Sequence, residues 1–459
     1  MATQTTFDSR TGNSLVDGVL SDAGWTGGPL TYTFGNGAAR HATFGDFTGR
    51  TWQAHEKAAF ELALAQYAAV CKLEFREAAT PASANFAWWL APDSTLDKID
   101  KDAVGAHELP TGDYSSAQGF FNYEASGWSH LAPGGRGYAT VLHELGHALG
   151  LGHPDGLGTF DNDALDQGVW TVMSHHKGWS GAPTNSKVFG AEAGLMALDI
   201  AALQARYGAN MTTATGDTVY RLPQLNGAGT GWTCLWDAGG IDTISNEGSA
   251  FGSTIDLTAA TLQGANAGGV VSRVAGIAGG FTIAHGVTIE RAMGGNGSDR
   301  IVGNAADNYL NGGNGADSLE GGAGVDVLVG GNDNDILHGG DGNDVLYGGS
   351  GADRLRGGAG ADGFLFGVDA AVGGLVARDT IVDFNGAAGD KVAFALDAGV
   401  LPGERKPIFI GDAAFSGLAG ELRYAGSLLS LDADGDRVAD ILVSLEGVKP
   451  GDFDASYIF

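Results

Sequence analysis

Residues 294–365 read GGNGSDRIV GNAADNYLN GGNGADSLE GGAGVDVLV GGNDNDILH GGDGNDVLY GGSGADRLR GGAGADGFL, eight consecutive frames of nine residues. The eighth position of every frame is Ile, Leu or Phe, and the sixth is Asp in all frames but one, which has Asn308. A flexible linker has no reason to keep one large apolar residue in register over eight frames. The pattern predicts a parallel β-roll whose interior is filled by the stacked apolar side chains.

The other positions of the frames predict calcium binding. Glycines permit tight turns and leave backbone carbonyls open to a cation, while each Asp supplies negative charge and a hard oxygen ligand. One frame buries too little surface to fold alone, so we expect stacking and Ca²⁺ to stabilise the roll together. The predicted calcium ligands in the repeats are Gly295, Gly297, Asp299, Gly313, Gly315, Asp317, Gly322, Gly324, Asp326, Gly331, Asp333, Asp335, Gly340, Gly342, Asp344, Gly349, Gly351, Asp353 and Asp362.

The composition of the chain excludes some classes of binding partner. The chain has 459 residues, 78 glycines and a formal net charge of -29, and it lacks the Lys and Arg clusters that bind nucleic acid or an anionic membrane. Bound Ca²⁺ would offset the repulsion among the carboxylates. No apolar stretch approaches the ~20 residues that span a bilayer, and the N-terminus shows no cleaved secretory signal.

The chain divides into two regions with different periodicity. Helical spacing of apolar residues predicts helices over residues 51–67, 138–149 and 190–207, and residues 85–90 (NFAWWL) are typical of a strand. Near Asn210 helical periodicity stops, and short apolar runs between Gly, Asn and Asp begin. We therefore expect a domain over residues 1–210 and a second over 211–459, with a C-terminal β module over 366–459.

The second decisive motif is HELGHALGLGH, residues 143–153. On a helix, His143 and His147 lie one turn apart on the same face, so both imidazoles can reach one metal ion. Gly150 can take the left-handed conformation that ends the helix, and the returning chain then brings His153 to the same ion. Surface histidines on an ordinary helix would rarely show this full spacing by chance.

Three neutral nitrogen ligands leave a tetrahedral Zn²⁺ with one open position, which is typical of a catalytic site. The ion would acidify a water molecule and polarise the scissile carbonyl, and Glu144 would act as the general base. Downstream, residues 171–176 (TVMSHH) are a candidate Met-turn, in which Met173 lies beneath the zinc site.

The two cysteines, Cys71 and Cys234, leave two interpretations open. A single disulfide between distant segments is one, and two isolated buried thiols, which we favour, is the other.

At this point the chain resembles the serralysins, bacterial metzincin proteases that join a zinc protease domain to a C-terminal calcium β-roll of RTX type. The resemblance covers nearly the whole sequence and includes VDGVL at 16–20, LTYTF at 30–34, DIAALQARYGAN at 199–210 and TGDTVY at 215–220. It implies an α+β protease domain followed by an all-β parallel β-roll.

The resemblance also implies further sites. A family calcium loop corresponds to residues 237–242, with ligands Asp237, Gly239, Gly240 and Asp242. The run DADGD at 432–436 is either another metal site or an Asp-rich turn between strands.

The resemblance also implies export by a type I secretion machine, which reads an uncleaved C-terminal signal. The apolar tail over residues 457–459 is consistent with such a signal. The implied location is extracellular, with proteins or peptides as substrates. We expect a monomer. A proteinaceous inhibitor is left open as a partner, and residues 1–15 are left as a short propeptide or an arm.

One position departs from the family. Serralysins carry a Tyr two residues after the Met-turn Met, where it can bind the resting zinc and support the oxyanion, but here the residue is His175. We expect His175 to act as a displaceable ligand or hydrogen-bond donor, with His176 as an alternative occupant of the same space.

The sequence thus predicts a secreted, calcium-stabilised zinc endopeptidase of broad specificity, with the substrate pairing against an edge strand such as residues 85–90. Two alternatives are a narrowly specific processing protease for one surface protein, and a calcium-dependent adhesion or binding protein whose zinc site is inactive.

Overall fold

The computed structural model describes residues 2–6, 11–41, 45–98, 103–110, 117–154, 165–264, 267–367, 377–395, 406–449 and 451–458. The chain forms two compact units. The first comprises Met1–Thr215, Pro223–Gly240 and Ala259–Val287, and the second comprises Gly216–Leu222, Ile241–Thr258 and Thr288–Phe459. The domain boundary expected near residue 210 stays a prediction. Phe459 of the apolar tail and residues 1 and 7–10 of the N-terminal segment lie outside the described residues.

The described α-helices all belong to the first unit. They are α1 (Ser14–Gly18), α2 (Ala54–Val70), α3 (Asp93–Leu96), α4 (Arg136–Ala148) and α5 (Ala197–Tyr207). None of them is long and apolar enough to span a membrane.

The described strands fall into two groups along the chain. Those before residue 123 are β1 (Thr3–Thr6), β2 (Ala23–Thr26), β3 (Leu30–Gly35), β4 (Gly37–His41), β5 (Gly45–Gly49), β6 (Phe75–Glu77), β7 (Phe86–Ala91), β8 (Gly105–His107) and β9 (Ala117–Asn122). Those after residue 218 are β10 (Val219–Arg221), β11 (Trp232–Leu235), β12 (Thr243–Ser245), β13 (Ser253–Asp256), β14 (Arg273–Val274), β15 (Gly280–Ile283), β16 (Arg291–Met293), β17 (Arg300–Val302), β18 (Tyr309–Asn314), β19 (Ser318–Ala323), β20 (Val327–Asn332), β21 (Ile336–Asp341), β22 (Val345–Ser350), β23 (Arg354–Ala359), β24 (Gly363–Gly367), β25 (Arg378–Ile381), β26 (Lys391–Ala395), β27 (Ile408–Phe409), β28 (Glu421–Ala425), β29 (Leu428–Asp432) and β30 (Ile441–Leu445).

The main sheet of the first unit has the strand order β6-β3-β7-β9-β8. Its neighbours are parallel except β8, which runs antiparallel to β9 at the edge. Strand β7 lies in the middle of the sheet and is buried at all six positions. The expectation that residues 85–90 form an edge strand is therefore wrong, because both neighbouring positions are already occupied. The edge strand at that end of the sheet is β8, which pairs with β9 on one side only.

An aromatic core holds α2 against this sheet. Phe60 of α2 is fully buried, and its ring lies 5.0 Å from Trp88 and 4.8 Å from Phe121 between centroids. Burying one such side chain contributes roughly 1.5–3 kcal/mol, and edge-to-face pairs add specificity of geometry. The core thus fixes the face of the sheet on which the helices pack.

The predicted helices over residues 51–67 and 138–149 are confirmed as α2 and α4, with shifted ends. The third prediction is wrong over residues 190–196, because α5 begins only at Ala197. Gly190 has a φ of +90°, and the Ala191 amide donates to the carbonyl of Gly134. Long-range backbone pairing thus replaces the helical hydrogen bonds that alanine-rich composition favoured.

The second unit is a parallel β-roll, as the repeats predict. Successive frames alternate between two sheets: β16-β18-β20-β22-β24-β26 are consecutive neighbours in one, and β13-β17-β19-β21-β23-β25 in the other. In register, Leu310, Leu328 and Leu346 stack in the first sheet, and Leu319, Leu337 and Leu355 stack in the second. All six are at most 1% exposed. One turn of the roll is therefore two frames, and the predicted fold class is confirmed.

After the repeats the roll continues into a different arrangement. Strand β25 pairs in parallel with β30, while β28-β29-β30 form an antiparallel meander. The meander extends the second sheet beyond the last repeat.

Both cysteines are free and buried, which confirms the favoured interpretation. Burial raises the pKa of each thiol to about 12, so neither is a reactive thiolate at neutral pH.

The stacked residues should contribute far more to stability than their neighbours on the same strand. Leu337 is fully buried, whereas the adjacent Ile336 is 54% exposed. Leu337→Ala is expected to lower the free energy of unfolding of the roll by about 2–5 kcal/mol, because it leaves a cavity between stacked leucines. Ile336→Ala, the control, is expected to change it by less than about 0.5 kcal/mol. Chemical denaturation of both full-length variants measures this, and equal losses would contradict the stacking.

Candidate metal centre

Three histidines converge at the end of α4. His143 and His147 lie one turn apart on this helix, and His153 follows the helix by five residues. The Nε2 atom of His153 is 3.1 Å from Nε2 of His143 and 3.0 Å from Nε2 of His147. Nitrogen ligands about 2.0–2.1 Å from a tetrahedral zinc ion lie roughly 3.3 Å from one another, so this spacing fits such an ion.

Backbone carbonyls orient two of these imidazoles. His143 Nδ1 is 2.8 Å from the Val172 carbonyl oxygen, and His147 Nδ1 is 2.9 Å from that of Leu151. A carbonyl only accepts, so each Nδ1 carries the proton and each Nε2 keeps its lone pair for a metal. Burial lowers the pKa of both rings, that of His147 to about 3, which keeps them neutral. The two histidines are thus held in the form that binds zinc.

The turn that brings His153 back depends on Gly150. Its φ is +88°, and a Cβ atom there would lie 2.0 Å from the carbonyl oxygen of Ala23. The amide of Leu151 donates to the Gly146 carbonyl at 2.8 Å, which closes the helix end. Glycine is therefore required by both the backbone conformation and the close contact.

Side chains from distant segments satisfy the last carbonyls of the helix. The Trp25 indole donates to the carbonyl of Ala148, the Tyr207 hydroxyl to that of Leu149, and the Arg206 guanidinium to that of Gly150, at 2.8, 2.7 and 2.8 Å. Positive charge at a helix C-terminus is favourable, so Arg206 also complements the helix dipole. These contacts fix the start of the turn that carries His153.

Met173 forms the floor beneath the histidines. It is fully buried, and a Cβ atom on Gly146 would lie 2.4 Å from its sulfur, so the glycine between the first two ligands makes room for it. Asp199 of α5 holds this segment: its carboxylate accepts from the Thr171 hydroxyl at 2.6 Å and from the Val172 amide at 2.8 Å. The same bonds fix the Val172 carbonyl that orients His143.

Glu144 lies beside the ligands in the same cavity, which has a volume of about 460 Å³. Its carboxylate accepts a hydrogen bond from the His107 backbone, while its Oε2 atom is buried and has no partner among the described residues. Burial raises the pKa of Glu144 to about 8, and the positive charge of Lys177 acts in the opposite direction. A bound cation would favour the ionised carboxylate, whose unpartnered oxygen then suits a proton acceptor.

The edge strand β8 lies directly against Glu144. A Cβ atom on Gly105 would lie 2.9 Å from Glu144 Cγ, so the strand passes close to the helix. The His107 ring is anchored: the Trp88 indole donates to its Nε2 at 3.2 Å, and its Nδ1 donates to the Glu108 carbonyl at 2.7 Å. Both ring nitrogens are used, so His107 supports the strand and leaves the metal to the other histidines.

The two histidines after Met173 take different directions. The ring of His175 is 4.2 Å from that of His153 between centroids, and its ligand atom lies within 4.8 Å of those of His143 and His153. His176 instead pairs with Asp166, 3.2 Å from its carboxylate. Of the two expected occupants of the space beside the metal, the structure brings His175 there.

The sixth-position aspartates of the repeats lie in rows along the roll. Each sixth-position Asp is buried, and from Asp317 onwards one carboxylate oxygen accepts the amide of the residue 18 positions earlier, as between Asp335 and Asp317, while Asp299 accepts the amide of Ser253. The second oxygen is buried without a partner among the described residues in Asp317, Asp326, Asp335, Asp344 and Asp362. These oxygens fit a cation.

Burial raises the pKa of these carboxyl groups, that of Asp335 to about 8 and that of Asp317 to about 7. Ionising them in the folded roll is therefore unfavourable near neutral pH unless a cation is bound. The glycines around them have positive φ, such as +120° at Gly331. Asp333 also has a positive φ, +76°, at the fourth position of its frame, where six of the other seven frames have glycine and one has Ala306.

Two further groups of predicted or candidate metal residues lie outside the repeats. Asp237, Gly239 and Gly240 belong to the first unit and Asp242 to the second, with both aspartates buried. In the C-terminal meander, Asp432, Asp434 and Asp440 place carboxylate oxygens within 4.8 Å of one another. Amides of the same loop, such as that of Gly435, already occupy Asp432.

Several residues of the centre were not found by sequence reasoning. The carbonyls of Val172 and Leu151 carry no side-chain signal. Arg206 and Tyr207 lie in a quoted helical segment, but nothing in its periodicity indicates that they cap another helix. Lys177, two residues after His175, lines the cavity, and a lysine so near a metal motif could have been noticed.

Comparisons with known proteins agree with this geometry. The family model "Peptidase M10 serralysin C terminal" matches residues 209–455, and the model "Matrixin" matches residues 40–160. Serralysin A of Dickeya chrysanthemi is 32% identical over 60% of this chain and 58% of its own length. Serralysin of Proteus mirabilis is 37% identical over 43% of this chain and 42% of its own. The chain thus spans about half the length of the curated relatives it matches.

Among solved structures, the extracellular lipase LipA from Serratia marcescens matches with 17% identity and a TM-score of 0.17, covering 37% of this chain and 39% of its own. This similarity is too low to support a statement about the fold or the function of the chain.

Two glycines of the turn should respond differently to the same substitution. Gly150→Ala is expected to weaken zinc binding at least about tenfold, because the added methyl group would clash with the Ala23 carbonyl and displace the turn that carries His153. Loss of a group that orients a metal ligand has an effect of this size. Gly152→Ala is the control, since no atom lies within 4 Å of a Cβ there. Competition with a chromogenic chelator measures the affinities. Equal zinc affinity in the two variants would contradict the role given to Gly150.

Proposed function

Because the chain belongs to the serralysin family, we propose that it is a secreted zinc endopeptidase that hydrolyses peptide bonds of extracellular proteins. The observation that carries the proposal is the convergence of three Nε2 atoms beside the buried, unpartnered oxygen of Glu144. The family implies zinc, and the neutral imidazoles fit that ion.

Zinc and Glu144 have different roles in the proposed reaction. Zinc, when bound, supplies a Lewis acid that polarises the scissile carbonyl and acidifies a water molecule. Glu144 accepts the proton of the attacking water at its free oxygen and returns it to the leaving amine. Its bond to the His107 backbone holds the carboxylate in place during both transfers.

The substrate backbone is held by β8. This strand lies at the sheet edge, lines the metal cavity and has its other side paired with β9. An extended peptide can add to the free side through main-chain hydrogen bonds, which read little side-chain identity. Binding through β8 therefore favours an enzyme of broad specificity over one that processes a single surface protein.

His175 is proposed to donate a hydrogen bond to the oxygen that becomes negative during attack. Its ring nitrogen lies close enough to the metal ligands to act there, and its side chain is exposed, so it can move when substrate enters. This is the role that the family gives to a tyrosine.

Calcium is proposed to bind along the roll. Its charge would meet the unpartnered aspartate oxygens, and it would make folding of the second unit dependent on the extracellular calcium concentration. Such dependence is consistent with export of an unfolded chain by a type I machine through a C-terminal signal, which we propose as the route.

The general base can be tested without removing the metal. Glu144→Gln is expected to lower kcat/KM on unfolded casein by about 10²–10⁴-fold, because an amide cannot accept the proton, while zinc stays bound at one per chain. His147→Ala, in comparison, should lose both zinc and activity. A Glu144→Gln protein that retains more than a tenth of the wild-type rate would refute the assignment. A wild-type protein that binds zinc but cleaves nothing would instead be a binding protein.

Calcium binding can be tested with two substitutions that remove the same charge. Asp335 has a buried unpartnered oxygen, whereas Asp341 in the next frame is exposed. Asp335→Asn is expected to lower the apparent calcium affinity by at least about tenfold, because it removes a ligand charge, and Asp341→Asn should change it little. Calorimetric titration of calcium into both full-length variants measures this. A loss of affinity that is the same in both would show that only net charge matters.

A further inference from the structure

One cation beside the metal centre has no part in the mechanism above. Lys177 Nζ lies 3.3 Å from the carbonyl oxygen of Val172 and 3.2 Å from that of Ser174. It is also 3.4 Å from Nδ1 of His143. That nitrogen already donates to Val172, so the lysine makes two hydrogen bonds and keeps one of its three protons for another acceptor.

Lys177 lines two cavities of the first unit. One is the metal cavity of about 460 Å³. The other, of about 740 Å³, is lined by Asp166, His176, Trp179 and Pro183, among others. A peptide bound at the histidines can direct a side chain into the larger cavity, and that side chain then lies against Lys177.

The charge of Lys177 is fixed in place without being neutralised. Its two partners are neutral carbonyls, and within the described part of the chain no carboxylate lies within ion-pair distance of its ammonium group. Glu144 acts on it only from a distance. Asp166 of the larger cavity is directed to His176, 3.2 Å away, and its side chain is only 18% exposed. In a chain of net charge -29, Lys177 is thus a positive charge whose hydrogen-bond partners among the described residues are neutral carbonyls, although Asp166 also lines the larger cavity.

We propose that Lys177 adds a preference at one substrate position to an otherwise broad specificity, by binding a carboxylate next to the scissile bond, that of an Asp or Glu side chain of the substrate. The inference rests on the proposed function, since it concerns the substrate of the same centre. The third proton of the ammonium makes a charge-assisted hydrogen bond to the carboxylate, in a partly buried setting where such bonds are strong. A neutral Gln side chain of the same shape makes a weaker bond there.

A purely structural role for Lys177 predicts something else. If the lysine only supports the Val172 carbonyl, its loss would weaken cleavage of all peptides equally. The ratio between peptides that differ in a single charge would not change. This ratio therefore separates a specificity-determining residue from a residue that only positions His143.

The experiment compares wild-type protein with Lys177→Met and with the control Lys187→Met. Lys187 is an exposed lysine of the same unit, bonded to Ser126, and lines neither cavity. Substrates are peptides blocked at both ends, with Glu or Gln at each of the three positions on either side of the cleaved bond. Wild type and Lys187→Met should prefer Glu over Gln at one position by about tenfold in kcat/KM, and Lys177→Met by less than about twofold. Peptides with a free C-terminus form a second arm, which detects a terminal carboxylate as the ligand.

A second measurement does not depend on turnover. In the Glu144→Gln background, the dissociation constants of the same blocked peptides are measured with and without Lys177→Met. If these peptides bind with a preference for Glu and Lys177→Met abolishes that preference, the inference is supported. This holds even if the wild type cleaves neither peptide, and in that case only the proposed function fails. An unchanged ratio in both measurements overturns it, as does a preference only for peptides with a free C-terminus.

Discussion

The whole arrangement depends on bringing Nε2 of His153 to about 3 Å from Nε2 of both His143 and His147. Helix α4 alone supplies two of these histidines. The third arrives only because the chain turns at Gly150, and that turn is stabilised by side chains whose residues are more than fifty positions away in sequence. Backbone carbonyls then fix the ring orientation. Much of the first unit therefore contributes to holding the three imidazoles in an arrangement that fits one metal ion.

Burial disfavours the charged form of candidate metal ligands in both units, but the consequence for metal binding differs. In the first, burial keeps His143 and His147 uncharged, so that they remain available as ligands. In the second, burial raises the pKa of aspartates that lie in stacked rows, so ionising them in the folded roll is unfavourable near neutral pH unless a cation is bound. A divalent cation lowers this cost, because it favours the ionised carboxylates. The apolar stack supplies the register that brings these carboxylates together.

Much of this could be predicted from the sequence, where local spacing determines geometry. The repeat period fixed the parallel register of the roll, and the zinc motif indicated both the helix and the turn at Gly150. Prediction failed where the answer depended on distant partners. Residues 190–196 were expected to be helical but pair with remote backbone. Residues 85–90 were expected at a sheet edge, but β3 and β9 cover both sides of β7. The position of Lys177 two residues after His175 is visible in the sequence, but the carbonyls that hold its ammonium group are known only from the folded structure.

The central claim is that one zinc ion binds to three imidazoles, and X-ray absorption at the zinc edge tests it most directly. The account predicts one zinc per chain with three imidazole nitrogens at about 2.0–2.1 Å and no sulfur in the first shell. Sulfur ligation, which would point to the buried cysteines, or a zinc ion surrounded by water alone, would contradict it.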